Sequence, residues 1–203
     1  MQIKKEELRN DIIRIAENEF FYHGYQNASL RMIAKKANTT LGNLYHYFPS
    51  KEAILDAVLE DYPEEVIKVF TDHEDYHETY KVLTYEQMPE INALLEAGLV
   101  EVFHMDVFIC RRFVILMQGC DNTKYEAIKN ELVQLAASHL ASHYKTEECN
   151  KYLQIIVNSM IQTFIDIAKK NLSPEEASNL VKEYMITVLL GMMCRIIESE
   201  SNE

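Results

Sequence analysis

An all-α chain is what this sequence predicts, on three observations. Glycine (5) and proline (4) are scarce among 203 residues, so little of the chain is punctuated for turns. Apolar residues recur at intervals of three and four almost throughout, the spacing that lines one face of a helix. No stretch alternates apolar and polar residues as a half-buried strand does, and no sheet is expected.

The first helix is expected from about Lys4 to His23, with Leu8, Ile12, Ile15, Ala16, Glu19 and Phe20 giving its periodicity and Gly24 ending it. Residues 29–51 then read as two short helices joined by a tight polar turn, a helix-turn-helix. Leu30, Ile33, Ala34 and Ala37 fall at i, i+3, i+4 and i+7 and share a face, with Ser29 just ahead as N-cap. Asn38 ends this helix, because asparagine tolerates the left-handed conformation best among residues with a side chain. Thr40 can cap the second helix, in which Leu44 and Phe48 face inward while Leu41, Asn43, Tyr45, His46 and Tyr47 look outward or bridge. A helix presented in this way suits the major groove of DNA. Ser50 caps a fourth helix with acid in its first turn and Ile54, Leu55, Val58 and Leu59 along it, and Pro63 should kink or interrupt it. The polar, tyrosine-rich stretch 72–90 is expected to be a helix end and a loop. Helical patterns resume over about 90–105, 106–119, 123–145, 148–171 and 174–199, punctuated by Asp121-Asn122, Thr146 and Ser173-Pro174.

The run from Ala37 to Lys51, followed by Glu52 and a helical Ala53-Ile54-Leu55, resembles the signature of the TetR family of bacterial transcriptional regulators. The match is a glycine (Gly42), then Leu44-Tyr45-x-Tyr47-Phe48, then Ser50-Lys51-Glu52, in register with an upstream helix. Two positions depart from the pattern: Asn38 stands where the family usually has glycine, and Leu41 where a polar or basic residue is common. The resemblance implies a DNA-binding head over 1–50 and a larger helical ligand-binding and dimerisation domain over 51–203. It also implies roles for Tyr45, Tyr47 and Lys51 on phosphates, for Ser29 and Thr40 in setting helix N-termini against the backbone, and for Asn43 and His46 as base readers, with Leu41 on the same surface. The implied partners are double-stranded DNA with a palindromic operator, a second copy of the chain and a small-molecule effector, with no cofactor.

A net charge of −12 argues against DNA binding if spread evenly. It is not: residues 1–62 carry a net −1 and the remainder −11. Within 23–51 stand Arg31, Lys35, Lys36 and Lys51 without one carboxylate, a local +4 on the segment expected to meet DNA.

Other function classes find less support. The charged, amphipathic N-terminus has no long apolar core, so no secretory signal is expected; no apolar run reaches membrane-spanning length, and a cytoplasmic chain follows. Cys110, Cys120, Cys149 and Cys194 show no Cys-x-x-Cys pairing and read as reduced thiols. His73-Glu74-Asp75-Tyr76-His77 matches the zinc-hydrolase pattern H-E-x-x-H, but it lacks an apolar face and any glycine-histidine continuation. His139 and His143 also stand one turn apart and either bind a metal incidentally or are solvated. No enzyme activity and no resident metal are expected.

The carboxy-terminal half points to partners. Over 174–199, Ala177, Val181, Tyr184, Val188 and Met192 form one row and Leu180, Met185, Leu189, Met193 and Ile196 another, too wide a stripe for one neighbour. Leu153, Ile156, Val157, Met160, Ile161, Phe164 and Ala168 make an equally broad stripe over 148–171. Either these are interior helices of a monomer, or they pack on their own core and on a second subunit. In the family that this chain resembles, the last two long helices form a four-helix dimer interface. That places Leu153, Val157, Ile161, Val181, Tyr184, Val188 and Met192 at an interface, with Gly191 permitting close approach. Charges at Val188 and Met192 would then split the dimer. Polar residues among aromatics and methionines suggest a ligand chamber: Glu101, His104, Asp106 and Gln118 beside Phe103, Met105, Phe108, Phe113 and Met117, with Asn158 and Gln162 one turn apart. The acidity and aromatic content favour a cationic or neutral aromatic ligand, unless the acids merely solvate the surface. The reading is a dimeric, ligand-responsive transcriptional regulator, a repressor released from its operator by a small molecule. The alternative is an acidic all-α module whose helix-turn-helix makes protein contacts.

Overall fold

The computed structural model describes residues 2–74, 93, 105–144, 150–170 and 172–200. Among these the chain is helical and has no strand: α1 (Gln2–Asn27), α2 (Leu30–Lys36), α3 (Leu41–Tyr47), α4 (Lys51–Leu59), α5 (Tyr62–Glu74), a 3-10 turn (Met105–Ile109), α6 (Arg111–Gln118), α7 (Tyr125–Tyr144), α8 (Asn150–Lys169) and α9 (Pro174–Glu200). It forms two compact units, one of residues 1–64 and 110–130, the other of 65–109 and 131–203. His77, Glu101, Phe103, His104 and Cys149 lie outside the described residues, as do the side chains of His73, Glu74, His143, Met192 and Cys194.

Gly24 interrupts α1 as its sequence position predicts: at φ 71 and ψ 160 it leaves the helical region, and one further turn carries the chain to Asn27. Before the break, Ile12, Ile15, Ala16 and Phe20 are buried on one face. This face receives α2, α4 and α6. Between α4 and α5 the backbone turns at Glu60, where φ is 47, and Pro63 falls in the first turn of α5, where a missing N–H costs nothing. The interruption expected at Pro63 therefore lies three residues earlier, and the proline starts a helix.

The first unit extends well beyond the first fifty residues. In α6, Phe113, Val114, Ile115, Leu116 and Met117 are all buried, and the helix packs on α1. Tyr25 N–H donates to the Gly119 carbonyl at 3.0 Å and Gln26 Nε2 to the Asp121 carbonyl at 2.8 Å, so the segment after α6 grips the turn after Gly24. Asp56 on α4 accepts from the buried Tyr125 hydroxyl at 3.0 Å and pairs with Lys124 at 2.9 Å. Burial, then the hydrogen bond and charge of Asp56, push the Tyr125 hydroxyl well above its ordinary pKa. The helix expected over 106–119 is broken at Cys110, whose extended backbone (φ −95, ψ 167) lies where the chain passes from one unit to the other.

The second unit has a core of Ala137, Leu140, Leu153 and Val157, flanked by Val133, Ile156, Met160, Ile161 and Val188. Beside it runs a series of rings: Phe70 with His139 at 5.6 Å and with Phe108 at 5.9 Å, Phe108 on Phe164 at 5.7 Å, and Phe164 with Tyr184 at 6.2 Å. Helix α9 opens with a capping box, in which Ser173 Oγ accepts from Glu176 N–H at 3.3 Å and Glu176 Oε2 accepts from Ser173 N–H at 2.8 Å.

Candidate DNA-binding interface

The turn between α2 and α3 is built by backbone hydrogen bonds that its residues permit. Asn38 takes φ 50; its N–H reaches the Lys35 carbonyl at 3.2 Å, and Thr39 N–H reaches the Ala34 carbonyl at 3.0 Å. This pair is the Schellman closure, with asparagine in the left-handed position where glycine is commonest. Ser29 Oγ accepts from Met32 N–H at 3.4 Å, Thr40 Oγ1 from Asn43 N–H at 3.1 Å and Ser50 Oγ from Ala53 N–H at 3.0 Å. The three hydroxyl caps fix where α2, α3 and α4 begin.

Helix α3 is held from one side. Leu44 is fully buried and Phe48, at its C-cap, nearly so; Gly42, Tyr45 and His46 are exposed, and Leu41, Asn43 and Tyr47 are half-buried. The outward face is thus Leu41, Gly42, Tyr45 and His46. Asn43, expected to read a base, instead donates from Nδ2 to Thr39 Oγ1 at 2.8 Å, which commits part of its amide to the turn. Lys51, expected on a phosphate, donates to the Gln26 carbonyl at 3.2 Å and lies 4.8 Å from the centre of the Tyr25 ring. Burial draws its pKa below the ordinary lysine value, partly opposed by the charge of Glu19. Arg31, Lys35 and Lys36 remain exposed on α2, as does Met32, which the sequence reading passed over.

The residues expected around a ligand are divided between the two units. Phe113 and Met117 are buried in the first unit and Gln118 is exposed there, because α6 packs on α1. Phe108 belongs to the ring series of the second unit. Asn158 and Gln162 are exposed, on the side of α8 away from Leu153, Val157 and Phe164, and Gln162 donates to Asp166 at 2.8 Å. Leu153, Val157 and Val181, expected at a subunit interface, are buried within the chain itself, and Ile161 and Val188 pack against that core. Tyr184 is half-buried, its hydroxyl 3.4 Å from Ser159 Oγ. Among the described residues, the large apolar side chains left exposed on α8 and α9 are Tyr152 (39%), Ile155 (67%) and Leu180 (41%). Among the described residues no group of three or more His, Cys, Asp or Glu is placed to hold a metal ion, and no helix is long and apolar enough to cross a membrane.

Residues 12–58 match the family model "Bacterial regulatory proteins, tetR family". Over 69 residues the chain is 38% identical to an uncharacterised HTH-type transcriptional regulator, YdgC, of Bacillus subtilis, covering 34% of this chain and 35% of that one. It is 36% identical over 59 residues to the HTH-type transcriptional regulator UidR of Escherichia coli, covering 29% of this chain and 30% of that one. The chain thus spans about a third of the length of these two relatives. A longer alignment, 26% identical over 188 residues, joins it to the HTH-type transcriptional regulator SAR2658 of Staphylococcus aureus, over 84% of this chain and all of that one. The capped α2–turn–α3 unit lies inside the matched span, so residues 12–58 are similar, in sequence and in helix-turn-helix geometry, to the DNA-binding region of the TetR family of bacterial regulators.

Proposed function

We propose that this chain is a dimeric DNA-binding regulator of transcription, a repressor that leaves its palindromic operator when a small molecule binds. The observation that carries the reading is the α2–turn–α3 unit: a short helix anchored by Leu44, its outer face bare, beside the exposed Arg31, Lys35 and Lys36. A surface of this kind offers cations to phosphates and side chains to base edges. Lys35, exposed and on no acidic partner among the ion pairs described, is the cleanest phosphate contact; Tyr45 and His46 face the bases. Dimerisation uses the exposed sides of α8 and α9, with Tyr152 and Ile155 on the first and Leu180 on the second, while a Cβ added at Gly191, further along α9, would meet open space.

Binding to DNA from upstream of its own gene, followed by gel shift across a range of salt, tests the reading. Affinity should fall with salt by about 0.9 log unit per log unit for each phosphate neutralised. Lys35→Ala should reduce that slope by about one per recognition head and weaken all sequences alike. Affinity independent of salt, or no binding to any duplex, would leave the helix-turn-helix to protein contacts.

In this reading the effector binds in the second unit; the ring series there supports an aromatic ligand, and the net −11 beyond residue 62 favours a cationic or neutral one. Hydrophobic cations and anions of equal size, compared by thermal shift and by release from DNA, check this. Cations should raise the melting temperature and free the DNA; selective binding of anions would overturn the charge argument.

A further inference from the structure

Glu19 is the one charged side chain among the described residues that is buried, at 5% exposure, and no cap, turn or recognition contact described above accounts for it. It lies on α1 between Ala16 and Phe20, on the face that receives α2. Burying a carboxylate is costly unless it is paired and hydrogen-bonded, and Glu19 is both. Its Oε2 accepts from Lys36 Nζ at 3.0 Å, and its Oε1 from Ser29 N–H at 3.4 Å. Ser29 is the N-cap of α2 and Lys36 its last residue, so one carboxylate on α1 holds both ends of the helix that supports α3. The Lys36 side chain therefore runs back along α2 toward its N-terminus, the direction that long helical side chains favour.

The same charge reaches further. Burial by itself would raise the Glu19 pKa, but the Lys36 hydrogen bond, the Ser29 N–H and the charges of Lys36 and His23 outweigh it and leave the carboxyl below its ordinary value. It remains an anion at neutral pH, and its field also acts on Lys51, the first residue of α4. A single buried negative charge thus lies beneath a basic surface that has no acid of its own between residues 23 and 51.

We propose that Glu19 is a positioning residue for DNA recognition: its carboxylate sets α2 against α1 and aims Lys36, so that the head reads sequence through a fixed geometry rather than through charge alone. The inference rests on the DNA-binding reading above. Glu19→Gln keeps the size and one acceptor but removes the charge. Full-length wild type and variant are titrated onto a duplex that the wild type enriches from random-sequence DNA, and onto a scrambled duplex of the same length. The ratio of the two affinities should fall roughly tenfold, while affinity for the scrambled duplex holds or rises because one negative charge has gone. Lys36→Met should lower the ratio by a similar factor, and adding Glu19→Gln to it should lower it no further, since both act through one contact. A role in stability alone would weaken both duplexes equally, in step with the folded fraction measured by circular dichroism. That result, or additive losses in the double variant, overturns the proposal. If Glu19→Gln does not fold, an unchanged ratio in Lys36→Met overturns it as well. A wild type that enriches no sequence removes the DNA-binding reading itself.

Discussion

Leu44→Ala should cost the head about 2–5 kcal/mol and abolish operator binding at concentrations where the wild type saturates its DNA. Leu44 is fully buried and is the only residue of α3 that is. A seven-residue helix has no stability of its own in water, so α3 exists because Leu44 and the C-capping Phe48 are buried in the head, with α2 packed alongside and Arg9 of α1 over the Phe48 ring. Removing three carbons there leaves a cavity beneath the helix that carries the recognition face. Against a typical total of about 5–15 kcal/mol, such a loss frees α3 for a measurable fraction of the time. Tyr45→Ala is the control: at 46% exposure it should leave the urea midpoint almost unchanged while weakening DNA binding. A Leu44→Ala protein with the wild-type midpoint and affinity would mean that something other than this contact holds α3.

What could be read from the sequence was local. Ser29, Thr40 and Ser50 cap the helices they precede, Asn38 takes the left-handed position, and Gly24 breaks α1, because each outcome depends on residues within one turn. The positions whose surroundings the sequence left open depend on partners beyond their own helix. Phe113 and Met117 lie in an amphipathic run that fits a ligand chamber as well as a core; only the packing of α6 on α1 assigns them to the head. Glu19 shares the spacing of the inward face of α1, but a pattern cannot say that Lys36 and Ser29 will meet its carboxylate. Asn43 looked free to read a base because its bond to Thr39 forms only once the turn has closed. On α8 and α9 the broad apolar stripes were visible, but not which row serves the chain's own core.

That last distinction decides how dimerisation is to be tested. Charges at Val188 would strike the interior, since Val188 packs against the core of Leu153 and Val157, and the result would be unfolding rather than dissociation. Ile155 is the better position: it is 67% exposed, and Tyr152 and Ser159 share its face of α8. An exposed isoleucine contributes little to the stability of one chain, so Ile155→Asp should leave the unfolding midpoint of the monomer unchanged. In the proposed dimer the same aspartate would be desolvated without a partner, weakening association by about 3 kcal/mol or more, at least a hundredfold in Kd. Sedimentation at micromolar concentration should show the monomer. Binding to a palindrome should collapse toward that of a half-site, because two linked heads gain their affinity from a fixed spacing of roughly 34–36 Å. Leu180→Glu, on the exposed row of α9 with Glu183 and Thr187, should act in the same direction. If both variants sediment as wild-type dimers and bind the palindrome unchanged, the subunits meet through another surface.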